Sequence, residues 1–192
     1  MSYDIHQING GVQFTDDIAK AGFPNGSTVS ARHEQFGPIC KTILRLDNVA
    51  QAVVNGTEYQ GTKIFDFPAG RILVLGVTAT LQQKTTSAIA STLNAGATGA
   101  ISLGTATASN VSLTGTMVDL LPSTAFASST TINVAGTAVS AALAASAQFD
   151  GTTTAKDVYL NTAYATTAEV DADATQTISG TVVITWIDLG DY

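Results

Sequence analysis

The chain of 192 residues is long enough for one domain with an arm or a small second module, and too short for a multidomain machine. Charged residues make up only 12% against a usual share of about 25%, yet Thr, Ser and Gly interrupt every apolar window before it reaches about 18 residues, so a soluble chain able to build a core is expected. The net charge of −7 is uneven: through Lys84 seven basic residues balance seven acidic ones, while from Thr85 onward Lys156 alone faces eight acids. That part repels a polyanion, and neither part has a basic stripe with interleaved aromatics, so direct nucleic-acid binding is not expected.

Residues 1–40 read as an N-terminal arm or irregular extension. Gly10 and Gly11, Asp16 and Asp17, and the turn sequence at 24–27 break it up, and no period of 2 or 3.6 is sustained. The opening MSYDIHQINGG lacks a basic stretch followed by an apolar one, which argues against a secretory signal. Cys40 is the only cysteine, so no disulfide forms within the chain, and a buried structural thiol made in a reducing cytoplasm is the expectation.

From 41 to 192 the pattern predicts a β-sandwich domain. TILRL, AQAVV and TEYQGTKIFDF read as short strands, with Asn55-Gly56 as a hairpin signal. In 71–81 one face carries Leu73, Leu75, Val77, Ala79 and Leu81 at period 2, as an inner-layer strand would. The stretch 85–149 contains one charged residue, Asp119. ISLGTATA, VSLTGTMVDLL and TINVAGTAV within it read as thin β structure; low-complexity disorder is the rival, opposed by the recurring β-branched residues. AVSAALAASAQ, at 138–148, is open between a short helix and a strand overridden by its surroundings. DVYLNTAY reads as a strand, and a last one puts Ile178, Val182, Ile184 and Trp186 on one face, with Val183 the exception. The fold class expected is all-β: an antiparallel β-sandwich, jelly-roll-like, with at most a short helix.

Chemistry is hard to find. His6 and His33 have no metal-ligand spacing. Cys40 with a histidine and an asparagine makes a thiol catalytic set in principle, but the expected fold offers it no cleft. No strand-to-helix GxSxG turn and no glycine-rich phosphate cradle occur. Glu169, Asp171 and Asp173 alternate before the last strand and supply oxygens of the kind Ca²⁺ takes, but the glycine bend and terminal bidentate Glu of an EF-hand are missing; a solvated acidic turn that keeps an edge from pairing is the simpler reading. Trp186 reads as core, and Tyr159, Tyr164 and Trp186 are too scattered to claim a sugar-binding face. No catalytic residue, cofactor or metal is assigned.

Three stretches, FDFPAGRILVLGVTATLQ (65–82), FDGTTTAKDVYLNTAY (149–164) and TISGTVVITWIDLGDY (177–192), resemble tailed-bacteriophage virion proteins of the capsid decoration or cement kind. The resemblance implies a non-enzymatic structural protein on the capsid surface. Its implied partners are the major capsid protein and further copies of itself, as a trimer, with no nucleic acid or membrane. Another virion component, such as a tail, baseplate or head-fibre module with a role in host recognition, is the alternative. A polysaccharide-degrading domain is a third reading, and it lacks an evident carboxylate pair. The near-neutral first eighty residues are the expected capsid-facing side, and the acidic remainder the self-association and outer surface.

Overall fold

The structure, a computed structural model, describes residues 28–85, 98–127, 131–135, 148–165 and 173–190. Ten strands run through them: β1 (Thr28–Phe36), β2 (Ile39–Val53), β3 (Tyr59–Asp66), β4 (Gly70–Thr85), β5 (Thr98–Gly104), β6 (Leu121–Ala127), β7 (Thr131–Ala135), β8 (Gln148–Gly151), β9 (Asp157–Tyr164) and β10 (Ala174–Gly190). A 3-10 turn at Gly115–Met117 is the one helical element among the described residues.

One sheet has six strands in the order β1-β2-β10-β4-β7, with β8 also pairing β4, and the other has four in the order β3-β9-β5-β6. All pairings are antiparallel, and they nest: β2 with β10, β3 with β9, β4 with β7, β5 with β6. A long antiparallel hairpin wrapped so that successive pairs alternate between two sheets is the double Greek key of a jelly roll. The all-β sandwich expected from the alternating patterns is therefore the fold of the chain.

The sheet begins at Thr28 rather than at residue 41, which corrects the boundary expected for the arm: β1 pairs along its whole length with β2, from Thr28↔Asp47 to Phe36↔Ile39. Its inward side carries Val29, Ala31 and His33, too small and polar a set to register as an apolar face. Residues 1–27 lie outside the described residues, as do Glu169, Asp171 and nearly all of 138–148.

Two bulges change the inside-outside phase, because each extra residue turns the following side chains to the other face. In β2 the buried residues run Leu44, Leu46, then Val49, Gln51, Val53. The slip falls at Asp47-Asn48, where Asn48 takes a left-handed φ of 52° and fuses the two expected short strands into one. Ser179 Oγ accepts the Asn48 amide at 3.0 Å and donates to Asn48 Oδ1 at 3.3 Å. We expect Ser179→Ala to lower stability by about 1 kcal/mol in urea denaturation, since both bonds are exposed. In β4 the slip lies at Leu75, between Trp186↔Val74 and Thr185↔Gly76. The face of Leu73, Leu75, Val77, Ala79 and Leu81 is thus only half right: Ile72 and Val74 point inward before the bulge, and Val77, Ala79 and Leu81 after it.

The last strand matches its pattern, with Ile178, Val182 and Ile184 fully buried and Trp186 nearly so. Gly180 (φ +148°) lies so close to β4 that a Cβ there would stand 2.1 Å from the Thr80 carbonyl oxygen, which excludes every other residue. Between the sheets Phe67 packs edge-on against Trp186 (5.5 Å) and Phe65 (5.2 Å) and closes one end of the core with Phe149. At Asn55-Gly56 a tight turn does form, Thr57 N donating to Val54 O at 2.9 Å. Only Gly56 has positive φ (87°), the signature of a type II turn, and the chain passes there from one sheet to the other instead of closing a hairpin.

VSLTGTMVDLL is corrected as well. Apart from Leu121 it forms no strand; with residues 105–110 it leaves the sheet and lies over the outer side of β9 and β5, burying Ala108, Leu113 and Met117 against Ala163.

Candidate functional site

Among the described residues, the clusters around Lys63 and around His33 bring together groups able to titrate or attack, and both read as structural chemistry. A register slip at Ile64 sets Lys63 opposite Tyr159 and Asp66 opposite Asp157 on β3 and β9. Lys63 Nζ lies 2.5 Å from Asp66 Oδ1 and 3.1 Å from Asp157 Oδ1, and Tyr159 OH donates to Asp157 Oδ2 at 2.9 Å. Burial, then the hydrogen bond with Asp157, pushes the Asp66 carboxyl up. At Asp157 burial pushes the same way but is outweighed by hydrogen bonds from Asp66, Tyr159 and Lys63, which hold it down. The two carboxyls therefore titrate together, Asp157 giving up its proton before Asp66. Burial of Lys63 is likewise outweighed by its two carboxylate partners, which raise its pKa and keep it an ammonium without a nucleophilic lone pair. Carboxyls in hydrogen-bond contact also leave no room for a glycosidic bond, which needs about 5 to 9.5 Å between them.

His33 and Cys40 come near each other on β1 and β2, in the registers His33↔Thr42 and Gln35↔Cys40, without forming a catalytic pair. His33 Nδ1 lies 3.0 Å from Thr42 Oγ1, and the Trp186 indole N–H donates to that same oxygen at 3.0 Å. The Thr42 hydroxyl thus ties the indole and the imidazole together through one oxygen. The ring stacks obliquely on Trp186 at 5.5 Å. Burial, helped by Asp188, pushes the Cys40 thiol up to about 11, so it stays protonated at neutral pH.

Burial lowers the His33 pKa below its ordinary 6.5. A depressed histidine stabilises the fold fully above the unfolded-state value, and that contribution is lost as pH falls through 6.5 toward the folded-state value. We expect the melting temperature to drop between pH 7 and pH 5, and His33→Gln to flatten that drop; an unchanged slope in the variant would assign it elsewhere.

Among the described residues no cluster of three or more His, Cys, Asp or Glu has metal-site geometry. Asp173 instead accepts the Asn55 amide at 2.9 Å, and Asp119 is committed to the Thr105 amide at 2.8 Å and the Thr105 hydroxyl at 2.6 Å. Of the three tyrosine and tryptophan candidates for a sugar face, Tyr164 and Trp186 are buried between the sheets.

What remains is a surface. The outer side of the six-stranded sheet is laid out in rows by its register. One row runs Phe36, Ile39, Ile187, Leu73 across β1, β2, β10 and β4. Phe36 is 55% exposed and Ile39 39%, and Leu189, as open as Ile39, follows two residues after Ile187 on β10. The next row holds Glu34 and Lys41, the third Arg32, Ile43 and Val183, and the fourth Ser30, Arg45 and Thr181. Glu34 pairs with Arg32 at 3.0 Å and Lys41 at 3.6 Å. A concavity of about 350 Å³ opens at the third and fourth rows, lined by Ser30, Ala31, Arg32, Ile43, Arg45 and Thr181. Alternation within single strands does not reveal this band, because it is assembled across four strands far apart in sequence.

Comparison with protein-family models, curated proteins and solved structures finds no match for this chain.

Proposed function

We propose that the chain is a structural protein of a tailed-bacteriophage virion, one that binds the capsid exterior as a decoration or cement protein and stabilises the shell. The observation that carries the reading is the strand order, a double Greek key of the kind used by viral capsid domains. Fold alone does not name a function, so the reading also leans on the three stretches that resemble virion proteins. They supply β4, β9 and β10, three central strands of the two sheets.

In this reading the protein is not an enzyme, and its activity is adhesion. The exposed side chains of Phe36, Ile39 and Leu189 provide apolar surface for the major capsid protein, within an interface that must bury about 1,200 to 2,000 Å² to be stable. A subunit seated across several capsid proteins cannot let them separate without rupturing its own contacts, so internal pressure works against all of them together. Self-association as a trimer would place identical faces on neighbouring capsid subunits. No helix among the described residues is long and apolar enough to cross a membrane, and the proposed location is the virion surface after synthesis in the host cytoplasm.

The test mixes purified protein with expanded and unexpanded capsids of the encoding phage and sediments them. Co-sedimentation with expanded capsids, with trimers in the free protein by ultracentrifugation, is the expected result; a monomer with no affinity for mature capsids would end the proposal. Lectin domains use the same strand order, which favours a tail, baseplate or head-fibre module for host recognition as the second reading. Immunogold labelling of whole particles separates the two.

A further inference from the structure

Among the described strands β1 pairs with β2 alone, at the edge of the six-stranded sheet, and it is joined to β2 by the tight turn at Gly37 and Pro38. Its inward side chains are Val29, Ala31 and His33, whereas β2 sends Leu44, Leu46, Val49 and Val53 into the core. Little apolar area therefore holds β1, and the imidazole is the largest group it inserts. The ion pairs of Glu34 with Arg32 and Lys41 lie on the outer face, where solvent leaves them little strength.

The surroundings of the imidazole make this anchor sensitive to its charge. The ring lies against Thr42 and Trp186, both buried, with Phe67 of the opposite sheet beyond the indole. Arg32 and Glu34 on β1 and Lys41 on β2 stand on the outer side of the sheet. Cys40, beside the ring on β2, is a neutral thiol, and Asp188 on β10 acts on that thiol while burial alone lowers the His33 pKa. A proton taken up in the closed sheet thus has no carboxylate to offset its desolvation. With β1 detached the ring is in water and takes the proton at its ordinary 6.5, and Thr42 keeps the Trp186 indole as its partner.

We infer that β1 is an acid-released edge strand, with His33 as its latch: protonation of the ring favours detachment of Thr28–Phe36 while β2, β10 and β4 stay paired. Detachment leaves the Ile39–Asp47 edge of β2 unpaired.

Melting reads only the loss of the whole fold, so the test is amide hydrogen exchange on the full chain, corrected for the intrinsic rate at each pH. At about pH 7 the β1 amides should exchange by a local opening, with lower protection than β10 and little dependence on urea. At about pH 5 that protection should have fallen roughly fivefold, because the open strand binds the proton more tightly than the closed one. His33→Gln keeps a side chain able to bond Thr42 and carries no charge, so it should hold β1 protection level over the same range. Where that variant fails to fold, the unaltered chain decides, since its His33 ring signals in NMR and its β1 amides must change with one midpoint. β1 protection that does not change with pH, β1 exchange that shares the protection and urea slope of β10, a fall kept by His33→Gln, or separate midpoints would each overturn the inference.

Discussion

Replacing Asn161 with leucine is expected to cost the fold about 2 to 6 kcal/mol, read as a lower urea midpoint with an unchanged slope. The side chain is fully buried and points from β9 to the segment 105–117 on the outer side of the sheet. Its Nδ2 donates to Ala106 O at 2.9 Å and Met117 O at 3.0 Å, and its Oδ1 accepts the Ala108 amide at 2.8 Å. A leucine of similar volume fills the space but leaves the Ala106 carbonyl and the Ala108 amide without their partner, each at about 1 to 3 kcal/mol. The Met117 carbonyl keeps the Ser102 hydroxyl at 2.8 Å, so Ser102→Ala should cost only about 1 kcal/mol. Hydrogen exchange at the Ala108 amide adds a local reading, since the leucine variant should lose protection there before the sheet does. A loss below about 1 kcal/mol for Asn161→Leu would mean that water replaces the amide and that the segment is not held by it.

The same residue shows where sequence reading stops. DVYLNTAY alternates well enough to predict β9, but both of its faces are buried, one by the other sheet and one by the overlying segment. An asparagine on a nominally outward position then reads as solvated. The overlying segment itself reads as a strand in sequence because Val111, Leu113 and Met117 have strand-like spacing; what they lack is a neighbour to pair with, and pairing is not a local property. Bulges mislead in another way. Leu75 belongs by parity to the inner face, and only its relation to Thr185 and Trp186, more than a hundred residues away, shows that it does not. The strands that are legible, β9 and β10, keep apolar residues at alternate positions, Val158 and Leu160 in one and Ile178, Val182, Ile184 and Trp186 in the other. The carboxyl pair and the outer apolar row were not legible for one reason: Asp66 meets Asp157, and Phe36 reaches Leu73, through strand neighbours that no spacing in the sequence reports.

The most polar part of the interior yields the second large effect. Gln176→Met alone is expected to lose about 2 to 4 kcal/mol, and replacing the whole network around it to lose less than that single change. Gln51, Gln83 and Gln176 are buried on adjacent strands of one sheet and face Thr162 and Tyr164 of the other. Thr162 donates to Gln51 Oε1 at 2.8 Å, Gln176 Nε2 donates to Thr162 Oγ1 at 2.8 Å, and Tyr164 OH donates to Gln176 Oε1 at 2.6 Å. Gln83 Nε2 donates to the Tyr164 oxygen at 2.7 Å and also contacts Gln176 Oε1, while its own Oε1 finds no partner. Removing Gln176 leaves Tyr164 OH without its acceptor in a medium where that costs most. Changing the three glutamines to Met together with Thr162→Val and Tyr164→Phe removes most donors along with their acceptors at nearly constant volume, leaving behind only the Leu160 carbonyl, which loses Gln51 Nε2, and the part-buried Gln60 amide, which loses Thr162, so most of the desolvation cost goes with the bonds. Burial of comparable apolar groups then offsets most of the loss. What the replaced set is expected to lose is register: with apolar side chains on both layers, nothing ties β9 to one position against β10, and broadened methyl NMR lines in a chain of near-native stability would be the sign. A replaced set that melts far below Gln176→Met would instead show that the hydrogen bonds contribute stability in their own right beyond what an apolar core supplies.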